Sequence, residues 1–513
     1  MKAFTRLLSL LLAILMLCTA FVACKDDPED EDTDPGTDED FTGSISNGQG
    51  NGGGNDNSSE TPPIAPGDPS AVIEISTPEQ LKAIAQNGTY VLKNDIDMSG
   101  VEFSPIGNYA YPFKGTLKSE DGHVYSIKNL KISVTKASAG PSPTFVYAYC
   151  GLFGVTNGAT VSNVNFEAAD VSVNVTDEYC YATAGIISGY MINTTVIDCN
   201  ASGKVYAKSK LYNAYAGGFC GILEDGSITS SESSGQIVTE DSRNRAVSGG
   251  ITALALLSPE VSYCNVSGSV KATSSYGVAY AGGLVGNTRL ASYTACRVDA
   301  DIYAETVEAS SKEPLVGAAY AGGLAALTSA TDEKTMTSFT RCYVLDSSVR
   351  SVGNDSACYV GGIAGYLSFT TFTHCYSLAD VSLKGNAKLS YASPGFAKIS
   401  TSAGDASAKD YVPDFEIRGC FAYGDMSIDH SNLPYLFIGT FYALITNEGS
   451  KVSIKNSYYN QNASVTVNES TSVPTLQKNG TARLSDAFTE AHISHFGWSA
   501  ADWETVDGYL YAK

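Results

Sequence analysis

Gly282-Gly283-Leu284-Val285-Gly286 lies near the middle of the 513-residue chain, and shorter copies of this phrase occur on both sides of it. Each copy has a glycine followed directly by an apolar residue. The copies begin at Gly151, Gly185, Gly218, Gly250, Gly283, Gly323 and Gly362. The steps between these glycines are 34, 33, 32, 33, 40 and 39 residues. A period this regular indicates a repeat architecture, in which each copy forms one structural unit.

A second feature of the repeat is a cysteine that follows the glycine phrase at one equivalent place in most copies. These cysteines are Cys199, Cys264, Cys296, Cys342, Cys375 and Cys420. In the copies without a cysteine, the same place holds Val164, Ser231 or Ser457. Small or apolar residues at one position of every copy are typical of a tight interior. We therefore predict an interior column in which these side chains lie over one another.

The strand pattern of each repeat favours an all-β fold. Short alternating runs are separated by Gly, Ser or Asn, and no window has a sustained helical period. Such strands are unstable as isolated hairpins, but they can stack if each repeat makes one coil. We predict a parallel β-helix, or β-solenoid, of about ten coils at a spacing of ~4.8 Å. In this prediction residues 71–149 form the N-terminal cap and first coils, 150–460 the repeats, and 461–513 the C-terminal cap.

Both ends of a solenoid need cover, because open strand edges invite aggregation. Thr77 as N-cap, Pro78 at the first helical position and Gln80 predict a short helix that covers the first coil. At the other end, residues 484–513 contain both tryptophans, Trp498 and Trp503, and we predict that they form a terminal plug. The extra residues of the longer repeats should form loops, where binding specificity is expected.

The phrase Gly283-Leu284-Val285-Gly286 resembles the motif of the GLUG repeat family. The resemblance covers most of residues 72–460 and includes a lead-in made of three phrases. These are Ile75-Ser76-Thr77-Pro78-Glu79-Gln80-Leu81, Leu92-Lys93-Asn94-Asp95-Ile96-Asp97 and Phe113-Lys114-Gly115-Thr116-Leu117. The resemblance implies a right-handed parallel β-helix like those of bacterial surface and adhesin-like proteins and those beside immunoglobulin A protease domains. It implies no catalytic residues, since the family has none in common.

The first residues have the pattern of an export signal. Lys2 and Arg6 precede an apolar run, 7–17, that is shorter than the roughly twenty residues that cross a bilayer. Phe21-Val22-Ala23-Cys24 resembles the lipobox of bacterial lipoproteins. The resemblance implies removal of residues 1–23, diacylglycerol on the sulfur of Cys24 and an acyl chain, such as palmitate, on its amino group. The alternative is an ordinary signal peptide followed by a chance cysteine.

Residues 24–70 have the composition of a disordered tether. Ten acidic and no basic residues lie between 26 and 40, and the following residues are rich in Gly, Asn, Ser and Pro. Such a segment buries too little apolar surface to offset its chain entropy. Calcium capture by the acidic run is an alternative, but the spaced Asp/Asn/Gly pattern of a calcium loop is missing. We predict a tether that holds the β-solenoid away from the membrane.

Charge and cysteine content limit the partners and crosslinks. The net charge of −22 argues against nucleic acid as a partner, because phosphate recognition needs clustered Lys and Arg. Twelve cysteines in an exported chain suggest disulfides, yet stacked side chains point in parallel, which is poor bridging geometry. We predict buried free thiols in the column. Four cysteines off the column remain able to pair: Cys150, Cys180, Cys220 and Cys358.

The sequence predicts no catalytic, cofactor-binding or metal-binding residues, and no cofactor. Its five histidines are scattered: His123, His374, His430, His492 and His495. Only the last two are close together, and a third ligand at metal-site spacing is missing. Asp95 and Asp97 share one face of a predicted strand and could act in acid catalysis. A role in turning the chain is favoured, since Asn94-Asp95 suits side-chain bonds to the backbone.

Tyrosine is plentiful, with 31 residues, and several tyrosines precede the glycine phrase at a regular distance. They are Tyr215, Tyr280, Tyr320 and Tyr359. This placement predicts a stacked aromatic row at one corner of the coils. A buried row is favoured. A row facing water could instead lie flat against sugar rings.

These features together predict a bacterial cell-surface lipoprotein, anchored in the membrane by its N-terminal lipid. The leading prediction is an adhesin-like or structural protein without catalysis, with an extracellular glycan or protein as ligand. The alternative is a carbohydrate-binding or polysaccharide-degrading β-helix protein. A third hypothesis is that the protein is a spacer without a ligand of its own.

Overall fold

The computed structural model describes residues 67–513, except 141–144, 178, 242, 308–316, 330–335, 387–388, 401–414, 447–451, 474–475, 478–481, 485–497 and 507–508. All described residues belong to one compact unit, 40–513. The predicted signal peptide, Cys24 and nearly all of the predicted tether lie outside the described residues. So do the insertions of the longer repeats. Among the described residues, no helix is long and apolar enough to span a bilayer.

Three sheets run along the solenoid, and most coils contribute strands to all three. Sheet A contains Val72–Ile75, Thr89–Leu92, Thr116–Ser119, Phe153–Asn157, Thr160–Ser162, Ser188–Ile197, Cys220–Thr229, Thr252–Leu256, Glu260–Ser262, Val285–Arg289, Ser292–Thr294, Ala325–Ser329, Thr337–Thr340, Ala364–Ser368, Thr370–Thr373, Phe396–Ser400, Phe415–Arg418, Tyr442–Thr446 and Val452–Lys455. Sheet B contains Ile96–Asp97, Tyr125–Lys128, Lys131–Val134, Val164–Val175, Asn200–Ser209, Glu232–Asp241, Asn265–Ser274, Arg297–Thr306, Tyr343–Val344, Ser348–Gly353, Tyr376–Ser377, Asp380–Gly385, Phe421–Ala422, Met426–His430, Tyr458–Asn460, Val465–Val467 and Ala482–Leu484. Sheet C contains Ser138–Ala139, Val146–Cys150, Cys180–Ala184, Ala214–Gly217, Arg245–Gly249, Val278–Gly282, Ala318–Gly322, Ala357–Gly361, Ser390–Ser393, Leu436–Gly439 and Leu476–Gln477.

The pairing of these strands confirms the parallel β-solenoid. Of the 11 strands of sheet C, Ser138–Ala139 pairs antiparallel and the remaining ten are parallel, which agrees with the predicted number of about ten coils. Equivalent residues pair directly from coil to coil, as in the series Val205, Ile237, Val270 and Ile302. Backbone groups are thereby satisfied between coils, and like side chains form columns.

A single left-handed residue turns each coil from sheet A into sheet B. These residues have φ between 47° and 59°: Asn163, Asp198, Ser230, Tyr263, Ala295, Arg341, His374, Gly419 and Asn456. Most are not glycine, so each bend carries a conformational cost that the surrounding strand pairing must offset. The bend directs the next residue inward, and that residue belongs to the cysteine column.

The cysteine column is confirmed. Cys199, Cys264, Cys296, Cys342, Cys375 and Cys420 are fully buried. The amide of Arg297 donates to the carbonyl of Cys264, and the amide of Tyr343 to that of Cys296, both at 2.9 Å. All ten described cysteines are free thiols, including the four that lie off the column.

The glycine phrase marks a corner where successive coils touch backbone to backbone. A Cβ added to Gly283 would lie 2.0 Å from the carbonyl oxygen of Gly323, and one added to Gly250 would lie 2.1 Å from that of Gly283. No side chain fits at such a distance. The phrase is therefore required by the close approach of the coils.

The predicted N-terminal helix is present as Pro78–Lys82. The Thr77 hydroxyl accepts from the amide of Gln80 at 3.3 Å, and the Gln80 side chain bonds back to the amide of Thr77, so both halves of a capping box form. Leu81 is fully buried against the first coils. A 3₁₀ turn, Leu433–Tyr435, lies farther along the chain.

The C-terminal residues lie on the side of the β-solenoid. The sequence predicts a terminal plug, whereas the hairpin Trp503–Val506 and Tyr509–Ala512 packs against the outer face of sheet B. The Trp498 indole donates to the carbonyl of Gly419 at 2.8 Å. Arg341 pairs with Asp502 at 2.8 Å. Sheet B carries a row of outward-facing aromatic side chains, namely Tyr343, Tyr376, Phe421 and Tyr458. The hairpin lies here because this row needs apolar cover.

Candidate functional site

The outer face of sheet C packs against the first strand of each coil in sheet A and forms a second apolar cluster outside the β-solenoid interior. On sheet C, Ala279 and Ala281 point into the β-solenoid, whereas Tyr280 belongs to a separate apolar cluster outside it. The chain turns back at the glycine phrase, so the next strand packs over the tyrosines. We call this region the tyrosine cleft. It is lined by Tyr149, Tyr215, Val247, Tyr280, Tyr320, Tyr359 and Tyr391 of sheet C and by Tyr190, Ile222, Leu254, Asn287, Leu327, Tyr366 and Lys398 of sheet A.

The predicted tyrosine row is confirmed as part of this cleft. Tyr280, Tyr320 and Tyr359 pair in register, with ring centroids 5.0 and 4.3 Å apart. Tyr215 continues the row beyond Val247. All four tyrosines are buried and their rings do not face water, which confirms the favoured prediction of a buried row. The row stabilises the cleft floor through stacked aromatic contacts.

The last glycine of the repeated phrase, Gly286, faces sheet C across the cleft and has no room for a side chain. A Cβ on Gly286 would meet Cγ1 of Val247 at 2.5 Å and the carbonyl of Ser248 at 2.8 Å. The equivalent position in other coils is also small: Gly189, Gly221, Ala253, Ala326, Gly365, Ala397 and Ala443. This column lets the two walls of the cleft pack closely.

An acidic group lies at the N-terminal end of the cleft. The Tyr190 hydroxyl donates to Oε2 of Glu224 in the next coil. The Tyr149 hydroxyl is buried beside them and has no hydrogen-bond partner among the described residues. Tyr109 reaches the same place from the loop that precedes the first full coil. We call Tyr109, Tyr149, Tyr190 and Glu224 the Glu224 pocket.

Burial sets the electrostatics of this pocket. Burial raises the pKa of Glu224, the bond from Tyr190 lowers it, and neighbouring Asp225 raises it. Burial and then the Glu224 charge raise the pKa of Tyr109. No ion pair joins Glu224 to a cationic side chain in the described part of the chain. Carboxyl groups with a pKa shifted by burial are frequent at functional sites.

Farther along, the cleft becomes cationic. Arg245 and Arg289 lie in its middle coils, where burial lowers the pKa of Arg245 and the charge of Arg289 lowers it further. Lys398 lies over the rings of Tyr366 and Tyr391, at 5.6 and 5.5 Å from their centroids. The cleft thus changes from acidic to basic along the β-solenoid.

Exposed apolar side chains lie along the edge of this region, on several different coils. Strands of sheet C start at the corner with sheet B and end at the glycine phrase, so that corner is one lip of the cleft. Exposed side chains at this lip are Val146, Tyr179, Tyr276, Val307, Leu433 and Tyr435, at 37 to 57% exposure. On the opposite lip Leu257 is 50% exposed and has φ of 61°.

The other residues considered in the sequence have structural roles where they are described. Asp95 pairs with Lys128 at 2.7 Å, and Asp97 accepts bonds from Ser99 and Asn129, which lower its pKa to about 2. Asp97 fixes a local turn, as favoured above, whereas Asp95 joins neighbouring coils through Lys128 and the amide of Ser126. The described histidines lie apart: His123 stacks on Tyr125, His374 lies beside Trp498, and His430 bonds Ser390. His492 and His495 lie outside the described residues. Within the described ranges, no group of three or more His, Cys, Asp or Glu residues could hold a metal ion.

Sequence reasoning missed Glu224 and Tyr190. A usable signal was present, because Glu224 pairs in register with Ile192 and Leu256, and a carboxylate stands where neighbouring copies have apolar residues. Such an exception to a column is a reason to look for function.

Comparisons with known proteins add little to this geometry. No protein-family model matches the chain, and no curated protein matches it. Among solved structures, it is similar to a Bacteroides ovatus protein described as a candidate immunoglobulin A1 protease, with 17% identity and a TM-score of 0.35, over 88% of this chain and 94% of that chain. A structure described as IgA1 protease has 18% identity and a TM-score of 0.35, over 64% of this chain and 21% of that chain. Likeness at this level carries no argument about function.

Proposed function

We propose that this protein is a bacterial cell-surface lipoprotein whose β-solenoid binds an extracellular glycan or protein at the mouth of the tyrosine cleft. Residues 24–70 tether the β-solenoid to a lipid on Cys24, and the GLUG resemblance supports the adhesin-like role. The main supporting observation is the set of exposed aromatic and aliphatic side chains on one lip of the cleft.

Exposed apolar side chains on a rigid frame are suited to binding. Tyr179 and Tyr435 are 57% and 49% exposed, although each directly precedes a strand of sheet C. The two tyrosines precede strands of sheet C that are seven coils apart, so they belong to one edge of the molecule and offer separate points of contact along it. Because the coils are already paired in register, binding would require little ordering of the backbone, which favours affinity.

Binding is tested on glycan arrays and on host-cell extracts with matched variants. Tyr179→Ala should weaken binding at least ~10-fold, as expected for an aromatic side chain central to an interface. Tyr435→Ala, seven coils away, should weaken binding only of a ligand long enough to span both positions. Tyr263→Ala is the control, because Tyr263 is 46% exposed on the corner between sheets A and B, away from the lip. Equal binding by all three variants would exclude the lip as the binding surface.

The lipid anchor is tested separately. Intact-mass measurement of the membrane fraction should show an acylated Cys24, and Cys24→Ser should release the protein into the soluble fraction. An unacylated Cys24 in the membrane fraction contradicts the anchor without bearing on the cleft.

Polysaccharide degradation is a second candidate, favoured by Glu224 alone. A carboxyl with a raised pKa can serve as a general acid. Glycoside hydrolysis usually needs a second carboxylate, and the adjacent Asp225 side chain accepts from the amide of Gly226 at 3.0 Å. Release of reducing ends that is abolished by Glu224→Gln would establish this activity in place of simple binding.

A further inference from the structure

We propose that the Glu224 pocket binds the free amino group of an amino sugar in a glycan held at the mouth of the tyrosine cleft. This inference rests on the proposed binding function and names its ligand class. It stands on three features of the pocket: a carboxylate without a cationic neighbour and a buried hydroxyl without a partner, both as judged within the described ranges, and aromatic walls.

The pocket has an accessible upper part and a buried floor. Glu224 and Tyr109 are half-buried and Asp225 is exposed, so a ligand can reach the carboxylate from solvent. Tyr149 and Tyr190 form the floor, with rings stacked at 6.1 Å between centroids and only 5% and 2% exposure. An amino group at Glu224 would therefore have polar contact on one side and tyrosine rings on the other.

The chemistry of these groups favours a cation. A partly buried carboxylate without a cationic partner is costly, and an ammonium group offsets that cost while donating hydrogen bonds. The Tyr149 oxygen is buried and unpartnered among the described residues, which is rare for a polar group, and it could accept one of those bonds. Tyrosine faces attract ammonium groups through the ring quadrupole.

The surroundings of the pocket favour a sugar over a lysine side chain. Tyr111, two residues after Tyr109, is 45% exposed beside the pocket. On the other lip, ring contacts connect Tyr149 to Tyr147, Tyr181, Tyr212 and finally the exposed Tyr179. Flat exposed rings on both sides suit the faces of sugar rings, whereas a lysine side chain would leave them unused.

The proposed binding should depend on pH. The groups that face the Glu224 carboxylate are the hydroxyls of Tyr190, Tyr149 and Tyr109 and the carboxylate of Asp225. Tyrosine hydroxyls in this pocket stay neutral, since burial raises their pKa values. Binding should therefore weaken in acid as Glu224 gains a proton, and in base as the amino group loses one.

Calorimetric titration tests the inference with two probes, a glucosamine hexamer and its fully N-acetylated form. We expect the free-amine hexamer to bind at least ~10-fold more tightly, and Glu224→Gln to abolish that preference. Tyr149→Phe should reduce the preference about threefold. Glu232→Gln, an exposed glutamate on sheet B, is the matched control and should leave the preference unchanged. Thermal unfolding of each variant establishes that it is folded.

The outcomes separate this inference from the proposed function. Equal affinity for the two hexamers, or a preference that survives Glu224→Gln, overturns the amino-sugar assignment. Tighter binding of the peptide acetyl-Gly-Lys-Gly-Lys-Gly-amide than of the hexamer also overturns it, in favour of a protein ligand. If neutral glycans bind and Tyr179→Ala weakens them, the proposed function stands while the inference falls. If neither lip variant alters any binding, the proposed function itself fails.

Discussion

Glu224 is a half-buried carboxylate that stands between two apolar neighbours of its column, Ile192 and Leu256. Burial raises its pKa from the ordinary value of 4.5. The folded protein therefore keeps a proton that the unfolded chain has already lost as the pH rises through 4.5. Linkage requires that this ionisation lowers the stability of the folded state as the pH increases, until the folded pKa is passed.

Glu224→Gln should show this dependence directly. Glutamine cannot ionise, so the variant avoids the loss of stability that the parent protein suffers above pH 4.5. The melting temperature of the variant minus that of the parent should be larger at pH 7 than at pH 4. A Glu224→Gln difference that is constant or falls with pH would show that Glu224 ionises normally.

At the residue scale, the sequence predicted the repeated interior columns better than the single residues that depart from a column. The cysteine column was predictable because six copies share the residue at one place. Glu224 was harder to assign, since its meaning depends on Tyr190 of the preceding coil, which lies 34 residues away in the chain. Only the register of the coils brings these two residues together.

At the scale of elements, the glycine corner is a place where successive coils approach very closely. Coils touch there through backbone atoms, and a Cβ on Gly283 would lie 2.0 Å from a carbonyl oxygen. Rigid backbone on the opposite side cannot give way as a flexible side chain could. The corner therefore fixes how sheet C turns into sheet A and holds the cleft closed at its base.

Gly283→Ala should lower the free energy of unfolding by about 3 kcal/mol or more, because the added methyl forces neighbouring coils apart. Gly122→Ala is the control: its Cβ meets nothing within 4 Å, and only its φ of 82° disfavours alanine. That variant should cost about 1–2 kcal/mol. Urea unfolding measures both, and equal losses would contradict the close approach of the coils.

The C-terminal hairpin is an element that stabilises several coils at once. Trp498 and Trp503 cover Tyr343, Tyr376 and Phe421 on sheet B. Removing residues 498–513 should expose this row and cause aggregation or rapid proteolysis, measured by light scattering and limited digestion. A truncated protein that stays monomeric and resists protease would show that the hairpin is dispensable.

The location of this hairpin could not be derived from sequence. Two tryptophans near the end of a solenoid chain suggest cover, but the sequence does not say which apolar surface they cover. The contacts that settle it join residues 79 and 161 positions apart, Trp498 to Gly419 and Asp502 to Arg341. Such distant pairs leave no periodic signal.

At the scale of the whole molecule, function depends on the register of the coils. The tyrosine cleft and its exposed lip exist because equivalent residues of successive repeats lie over one another. A slip of one residue would exchange inward and outward side chains along a strand. The same alignment brings Tyr190 to Glu224 and places the exposed tyrosines on a common edge.

The period of the repeat predicted that coils exist, but not the shape of their cross-section. The sequence located the tyrosine row at a corner. The structure shows that sheet C and the first strands of sheet A fold against each other there, and that the row is covered. Cross-section depends on corner angles, and these arise from close contacts such as that of Gly286 with Val247, which a single sequence does not specify.

Spin-label distances along sheet B test the stacking of the coils most directly. Asp170, Asp301 and Asp380 are exposed positions in equivalent places of sheet B, with Asp301 four coils and Asp380 six coils beyond Asp170. The three positions would be changed to Cys two at a time in a chain that carries Cys18→Ser and Cys24→Ser. Burial keeps the ten remaining native thiols unlabelled, and it raises the pKa of Cys199 to about 12. At ~4.8 Å per coil, we expect about 19 Å between positions 170 and 301 and about 29 Å between 170 and 380. Distances that do not grow in proportion to the number of coils would contradict the in-register β-solenoid and the cleft built on it.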